Sequence, residues 1–377
     1  MELTVDARAL ASAVAWADKF APTRPVAPIC AALHLAATAD GTLTLTATDY
    51  DTTARATADA RVDTPGQAAV SSRTLAAATA RLGDGPATLR LDGPRLHISR
   101  GTVNYTLITM AAEDYPTAPA LPEPLGQVDA NAFADAATLA ATTTGNPKEA
   151  AELAGIQIRL GENLTVSSTD RYRITTRDLA WAPETPSADR SLLAHRAALT
   201  AAARGMTGTI TIGADTNLLG LSDETRSVTT TLLDNTKLPD LPAFLGRRFD
   251  AGAATTATVD TASLIGAIER AAVVTNGLGD ILLDITDGTI AVSGGDDDTG
   301  SDAIDAHTDG PAVAALYYPD WILQLLKGVG SDTVRLHLPD PYKPTLVTAV
   351  GPDGQDADGY RALINPRRAT RTVQAAA

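Results

Sequence analysis

The 377-residue sequence, 44% hydrophobic and 20% charged, is long enough for two or three domains and too apolar for a disordered chain. Cys30 stands alone, which excludes a disulfide framework or a Cys-based zinc site, and no apolar run approaches the roughly 18 residues of a membrane span. A formal net charge of −15 excludes a protein that grips nucleic acid over its whole surface, though not one that encircles it with a few cations on an inner wall.

The opening segment Leu10 to Phe20 has apolar residues at three-to-four spacing and predicts an amphipathic helix. Leu33 to Ala47 then alternates around Asp40-Gly41, a strong hairpin signal, and ends at Asp49. A second helix is predicted over Arg73 to Leu82, and strands over Ala87 to Leu91 and Leu96 to Arg100. The same series returns twice, with a period of about 125 residues. Its second copy has a helix over Phe133 to Thr144, a hairpin over Ile156 to Ser168 turning at Gly161 to Asn163, Asp170, a helix over His195 to Arg204, and strands at Thr209 to Ile212 and Leu218 to Leu221. The third has Leu264 to Thr275, a hairpin over Ile281 to Ser293 turning at Asp287-Gly288, Asp296, a helix over Asp320 to Val329, and strands at Thr333 to Leu338 and Thr345 to Val350.

Two helices and several antiparallel strands per copy predict an α+β fold of three repeated domains with helices segregated to one face. Proline-rich segments, Tyr115 to Pro124 and Leu238 to Asp250, mark the boundaries. The expected division is 1–122, 123–248 and 249–368, with a flexible tail at 369–377. Three equal domains per chain invite closure with a second copy, giving a ring lined by helices. Lys19, Arg24, Arg73, Arg81, Arg196, Arg204, Arg270 and Lys327 all fall on or beside those helices, as a wall facing DNA phosphates requires.

No catalytic chemistry is legible. His34, His97, His195, His307 and His337 are isolated, and no phosphate-binding glycine loop or nucleophile elbow occurs. Asp296-Asp297-Asp298 lacks the ligand spacing of a calcium loop and reads as an acidic turn. Neither metal nor cofactor is expected. Cys30 reads as a small buried hydrophobe, and the absence of a basic-then-apolar leader after Met1 points to the cytoplasm, with no membrane partner.

Several ordered landmarks resemble the bacterial DNA polymerase III beta subunit over about residues 1 to 368. Arg24-Pro25-Val26-Ala27-Pro28-Ile29 resembles its RPxxPIL loop, Ala47-Thr48-Asp49 its TGTD strand end, and Tyr115-Pro116 its (F/Y)P. Thr169-Asp170-Arg171-Tyr172-Arg173-Ile174 resembles TDGHRL, Leu238-Pro239-Asp240 resembles FPDY, and Leu363-Ile364-Asn365-Pro366 an LMP-like ending. The resemblance implies a non-catalytic sliding clamp: a head-to-tail homodimeric ring on double-stranded DNA. It would tether the polymerase III alpha subunit, the clamp loader and repair polymerases through short linear peptides.

Position by position, the resemblance implies a peptide pocket between the second and third domains. It would be formed by Leu153, Thr169, Arg171, Tyr172, Arg173, Ile174, Pro239, Ala243, Phe244, Pro344, Leu363 and Asn365, with Arg173 on its rim. It also implies non-specific DNA contacts by Arg24, Arg73, Lys148 and Arg196, and a dimer contact between the edge strand around Tyr105 and the helix end at Val273 and Val274. The chain departs from the family pattern at the pocket. Arg171-Tyr172 replaces Gly-His, Leu241-Pro242-Ala243-Phe244 lacks a basic residue, Asn365 replaces Met, and Asn146-Pro147-Lys148 alters a DNA-facing loop. These departures suggest an alternative: a specialised second clamp with changed partner choice or inhibitor discrimination.

Overall fold

A computed structural model of the chain describes residues 1–184, 190–275, 279–295 and 298–368. The acidic pair Asp296-Asp297 and the tail from Ala369 onward lie outside the described residues. Among the described residues the α-helices are α1 (Ala7–Asp18), α2 (Ser72–Thr79), α3 (Ala130–Thr142), α4 (Arg196–Ala203), α5 (Leu241–Asp250), α6 (Thr261–Ala272) and α7 (Pro319–Lys327). All the anticipated hairpins are present as antiparallel pairs.

The opening helix of each copy starts three residues before the periodic stretch that announced it, and for one reason. Asp6 accepts from the Arg8 and Ala9 N–H groups, Asp129 from Ala132 N–H at 2.8 Å, and Asp260 from Ser263 N–H at 2.7 Å. Each carboxylate caps a helix N-terminus whose first amides would otherwise lack partners. The repeated Val-Asp pairs at 5–6, 128–129 and 259–260 are therefore the start signals.

Helix α5 occupies most of the proline-rich segment Leu238 to Asp250 that was expected to mark a boundary. Pro242 sits within the first two helical positions, where its missing N–H is not needed. Asp240 caps the helix by accepting from Ala243 N–H at 3.0 Å, and Arg247 and Arg248 in the last turn suit the negative end of the helix dipole. The prolines start a helix here.

The chain forms two compact units. One comprises Met1–Ala134, Trp181–Ser187 and Ala197–Leu232. Its antiparallel sheet centres on the strand Thr52–Thr64, which pairs with Glu2–Asp6, Thr42–Thr48 and Arg226–Thr231. Trp16, Val14 and Leu10 of α1 and Leu75 of α2 are buried in this unit.

The other unit comprises Asp135–Ala180, Ala188–Arg196 and Leu233–Ala377. It holds a nine-stranded and a four-stranded antiparallel sheet among the described residues. Leu264, Ala267, Ile268 and Ala271 of α6 and Ile322, Leu325 and Leu326 of α7 pack on alternate residues of strands such as Ile281–Thr286 and Thr333–Leu338. Full burial of each such Leu or Ile contributes about 1.5–3 kcal/mol. The outer face of the nine-stranded sheet carries a smaller cluster, in which Leu241 and Leu245 of α5 meet Ile174, Leu346 and Leu363.

Candidate functional site

Beside α5 lies a cavity of about 400 Å³, within the size range of ligand sites. Its floor is a pair of adjacent strands, Arg173–Leu179 and Asp356–Ile364, whose register sets Ile174 opposite Leu363. Leu238, Leu241 and Phe244 wall it from the α5 side, Leu153 and Pro344 add apolar surface, and Thr169, Arg171 and Asn365 make a more polar wall. All of these residues belong to one compact unit.

The wall of Pro239 and Leu241 is held by a residue that sequence reading missed. Gln157 is 2% exposed. Its Nε2 donates to Pro239 O and Asn235 Oδ1, each at 3.4 Å, and its Oε1 accepts from Leu241 N–H at 3.3 Å and Ser167 Oγ at 3.4 Å. A buried amide with all its capacity engaged fixes the chain that enters α5. Its strand context, a polar residue in GIQIRL, was the one available signal.

The polar wall is a tight turn. Asp170 Oδ1 accepts from the N–H groups of Tyr172 (3.0 Å) and Arg173 (2.7 Å), and Thr169 Oγ1 accepts from Arg171 N–H at 3.0 Å while donating to Arg173 O at 2.7 Å. Arg171 adopts a φ of 76°, a left-handed conformation that costs an L-residue about 1–2 kcal/mol and that glycine adopts freely. Asn365 leans on this turn: its N–H donates to Tyr172 O at 2.9 Å and its Nδ2 to Arg171 O at 3.4 Å.

Of the twelve residues expected at the pocket, nine line this cavity. The other three are Tyr172, Arg173 and Ala243. Arg173 is 5% exposed. Its guanidinium bonds Asp170 Oδ2 at 2.8–2.9 Å, Gln324 Oε1 at 2.6 Å and Thr142 O at 3.0 Å, and lies 5.0 Å from the Trp321 ring centre. A guanidinium so engaged is a strut beneath the turn, which corrects the expectation that Arg173 forms the rim. Tyr172 turns away to pack on Trp321 at 5.4 Å between ring centres. Ala243 sits in the capped first turn of α5 and presents no side chain to the cavity.

The same turn recurs in the first copy of the repeat. The turn Thr48 to Thr52 reproduces the bonds of Thr169 to Arg173: Asp49 Oδ1 accepts from the Asp51 and Thr52 N–H groups, Tyr50 has a φ of 78°, and Thr231 N–H donates to Asp51 O as Asn365 does to Tyr172 O. The floor positions that are Ile174 and Leu363 in one copy are Thr53 and Thr229 in the other. There Tyr115 lies stacked on His34 at 5.1 Å and hydrogen-bonds Ala32 O and Thr46 O.

The expected DNA-contacting cations are all exposed: Arg24 in the loop after α1, Arg73 in the first turn of α2, Lys148 in the loop after α3, and Arg196 at the start of α4. Arg196 also donates to Thr144 Oγ1 at 2.8 Å. Two further helix-face cations are neutralised, Arg270 by Asp302 at 2.7 Å and Lys327 by Glu269 at 2.8 Å, and so add little positive field. Val273 is 76% exposed at the end of α6, with Val274 partly buried beside it. In the strand Val103–Met110, Tyr105 is half-buried and Ile108 is 79% exposed. Among the described residues, 103 to 108 of that strand pair on one side only, with Arg95–Arg100. Among the described residues the strand Gly300–Asp305 likewise pairs only with Thr289–Gly294.

Comparison with known proteins decides the family. Residues 1–119 match the model for the N-terminal domain of the DNA polymerase III beta subunit, and 248–358 that for its C-terminal domain. The Beta sliding clamp of Streptomyces coelicolor is 31% identical over 379 residues, covering 98% of this chain and 99% of that one. The chain belongs to the beta sliding clamp family. Clamps of this family are non-catalytic processivity factors. The clamp is also 28% identical to the Beta sliding clamp homolog GriR of Streptomyces muensis, over 98% of this chain and 99% of GriR. Its fold matches the Pseudomonas aeruginosa DNA polymerase III subunit beta with a TM-score of 0.88 at 19% identity, covering 98% of this clamp and 100% of that chain. A Pseudomonas aeruginosa clamp bound to griselimycin matches with a TM-score of 0.87 at 20% identity and the same coverage. No helix among the described residues of this clamp is long and apolar enough to cross a membrane.

Proposed function

We propose that this clamp closes head to tail with a second copy into a ring around double-stranded DNA. There it holds the polymerase III alpha subunit, the clamp loader and repair polymerases by short linear peptides seated beside α5. The observation that carries the peptide reading is the cavity itself: an apolar floor of Ile174 and Leu363, roofed by Leu241 and Phe244, suits a Leu or Phe side chain of a partner. The repeat units 1–122, 123–248 and 249–368 are the domains of this reading, and its setting is the cytoplasm.

Two open strand edges favour the ring. Among the described residues Val103 to Ile108 and Gly300–Asp305 each lack a neighbour on one side, and an unpaired edge with exposed apolar residues is a template for another strand. Ile108 and Val273 would lose their exposure in such a contact, with Tyr105 and Val274 beside them. Arg24, Arg73, Lys148 and Arg196 then contact phosphates without reading sequence.

Arg171 and Asn365 in the cavity lining favour a second reading, a specialised clamp that discriminates among partners or inhibitors. Calorimetric titration of a standard clamp-binding peptide tests both. Binding that Leu363→Asp abolishes supports the peptide site, and absence of binding to the unaltered protein refutes it. An Arg171→Gly/Asn365→Met variant that changes the affinity at least fivefold supports the specialised clamp. A change below about twofold, roughly 0.4 kcal/mol, marks the departures as neutral.

A further inference from the structure

The mouth of the cavity is more basic than the chain around it. Arg171, Lys237 and Arg248 line it against a single acid, Glu152, in a protein of net charge −15. The sequence suggested the reverse, a basic residue lost after Pro239-Asp240. Lys237 stands just before that motif and Arg248 two turns into α5, so the charge returns to the rim from other positions.

These cations are weakly committed. Arg248 is exposed, its guanidinium lies 5.3 Å from the Phe244 ring centre, and it meets no carboxylate among the described residues. Arg171 approaches Glu149 only to 3.8 Å, with both side chains exposed. Lys237 faces Asp234, also exposed. Exposed pairs of this kind hold their partners by little.

Two acids that lie close in sequence to the lining residues, Asp240 beside Pro239 and Asp340 before Pro344, are engaged elsewhere. Asp240 caps α5 and pairs with Arg159 at 2.6 Å, and Asp340 pairs with Lys343 at 3.1 Å. The Thr169 hydroxyl is committed to its own turn, while among the described residues the Asn365 side-chain amide makes one long bond, from Nδ2 to Arg171 O. Hydrogen-bond donors therefore predominate around an apolar floor, and a complementary ligand supplies acceptors with negative charge.

We infer that the preferred occupant is an acidic peptide, its apolar anchor on Ile174, Leu241, Phe244 and Leu363 and its carboxylates over Lys237, Arg248 and Arg171. This rests on the reading of the cavity as a peptide site. The test uses three fluorescein-labelled peptides that share a Leu-Phe anchor and carry Glu, Gln or Lys on both flanks, titrated by fluorescence anisotropy against the full chain.

At low salt the Glu peptide should bind on the order of tenfold more tightly than the Gln peptide, and the Lys peptide most weakly. Raising the ionic strength to about 0.5 M should cut the Glu advantage below about threefold, because exposed charges are screened. The double variant Lys237→Gln/Arg248→Gln should bring the Glu and Gln peptides within about twofold of each other, with an unchanged circular dichroism spectrum. Glu and Gln peptides of equal affinity in the unaltered protein, or a preference that survives in the double variant, would overturn the inference while leaving the peptide site standing. Absence of binding by all three overturns the peptide site and this inference with it.

Discussion

Replacing Arg173 by Met separates a strut from a contact. The guanidinium is enclosed and makes four directed interactions, with Asp170, Gln324, Thr142 O and the Trp321 ring. Met fills much of the same volume but leaves the Asp170 carboxylate, itself 11% exposed, without its counter-charge. Breaking a buried pair by removing one partner costs about 3–5 kcal/mol. For a cooperative unit of about 150–250 residues that lowers Tm by roughly 6–20 °C. Differential scanning calorimetry reads this loss, and peptide titration well below the transition reads affinity. Because Arg173 does not line the cavity, Kd should change less than about threefold in the folded variant. The double variant Asp170→Asn/Arg173→Met should recover part of the loss, with a coupling of about 1–3 kcal/mol. An unchanged Tm with affinity lost tenfold or more would refute the argument and make Arg173 a ligand contact.

Arg171→Gly should relieve the left-handed strain at φ 76° but loosen the unfolded chain, for a net gain of about 0–1 kcal/mol; a denaturant midpoint showing a loss of 1 kcal/mol or more would contradict this. Burial, partly offset by the Asp356 carboxylate, lowers the His337 imidazole below its usual value. Its stabilising contribution is therefore complete above about pH 7 and lost as pH falls from about 6.5 toward the folded value, at no more than 1.36 kcal/mol per pH unit. Melting at pH 7.5 and 5.5 should accordingly reveal a smaller acid-induced drop in His337→Gln, and equal drops would count against the assignment. Val273→Asp with Val274→Asp should give 38.8 kDa monomers by sedimentation, whereas an undiminished dimer would rule out that surface as the interface.

Much of this architecture is legible in the sequence because its signals are local. Asp40-Gly41 and Asp287-Gly288 dictate tight turns wherever they occur, and the apolar spacing in α6 and α7 survives without knowledge of what covers it. Helix α5 was not legible, because Pro242 breaks a helix interior yet suits a first turn, and only the Asp240 cap tells the two apart. The site divides in the same way. Thr169, Ile174 and Leu363 could be placed by motif, since strand register carries them to one face. The direction of Arg173 depends on Asp170, Gln324 and Trp321, which lie up to 151 residues away in the chain. The role of Gln157 is not legible in the sequence because its partners Asn235, Pro239 and Leu241 lie about 80 residues away and carry no motif that points back to it.

The central claim is topological, and retention on circular DNA tests it most directly. The protein would be loaded by a bacterial clamp loader onto a nicked circular plasmid, passed through a sizing column at about 0.3 M salt, where non-specific phosphate contacts are largely lost, and then treated with a restriction enzyme that linearises the DNA. A ring that encircles DNA and touches it only through residues such as Arg24, Arg73, Lys148 and Arg196 stays on the circle and slides off once the ends are cut. Loss from the intact circle at that salt, or retention unchanged by linearisation, would contradict the account.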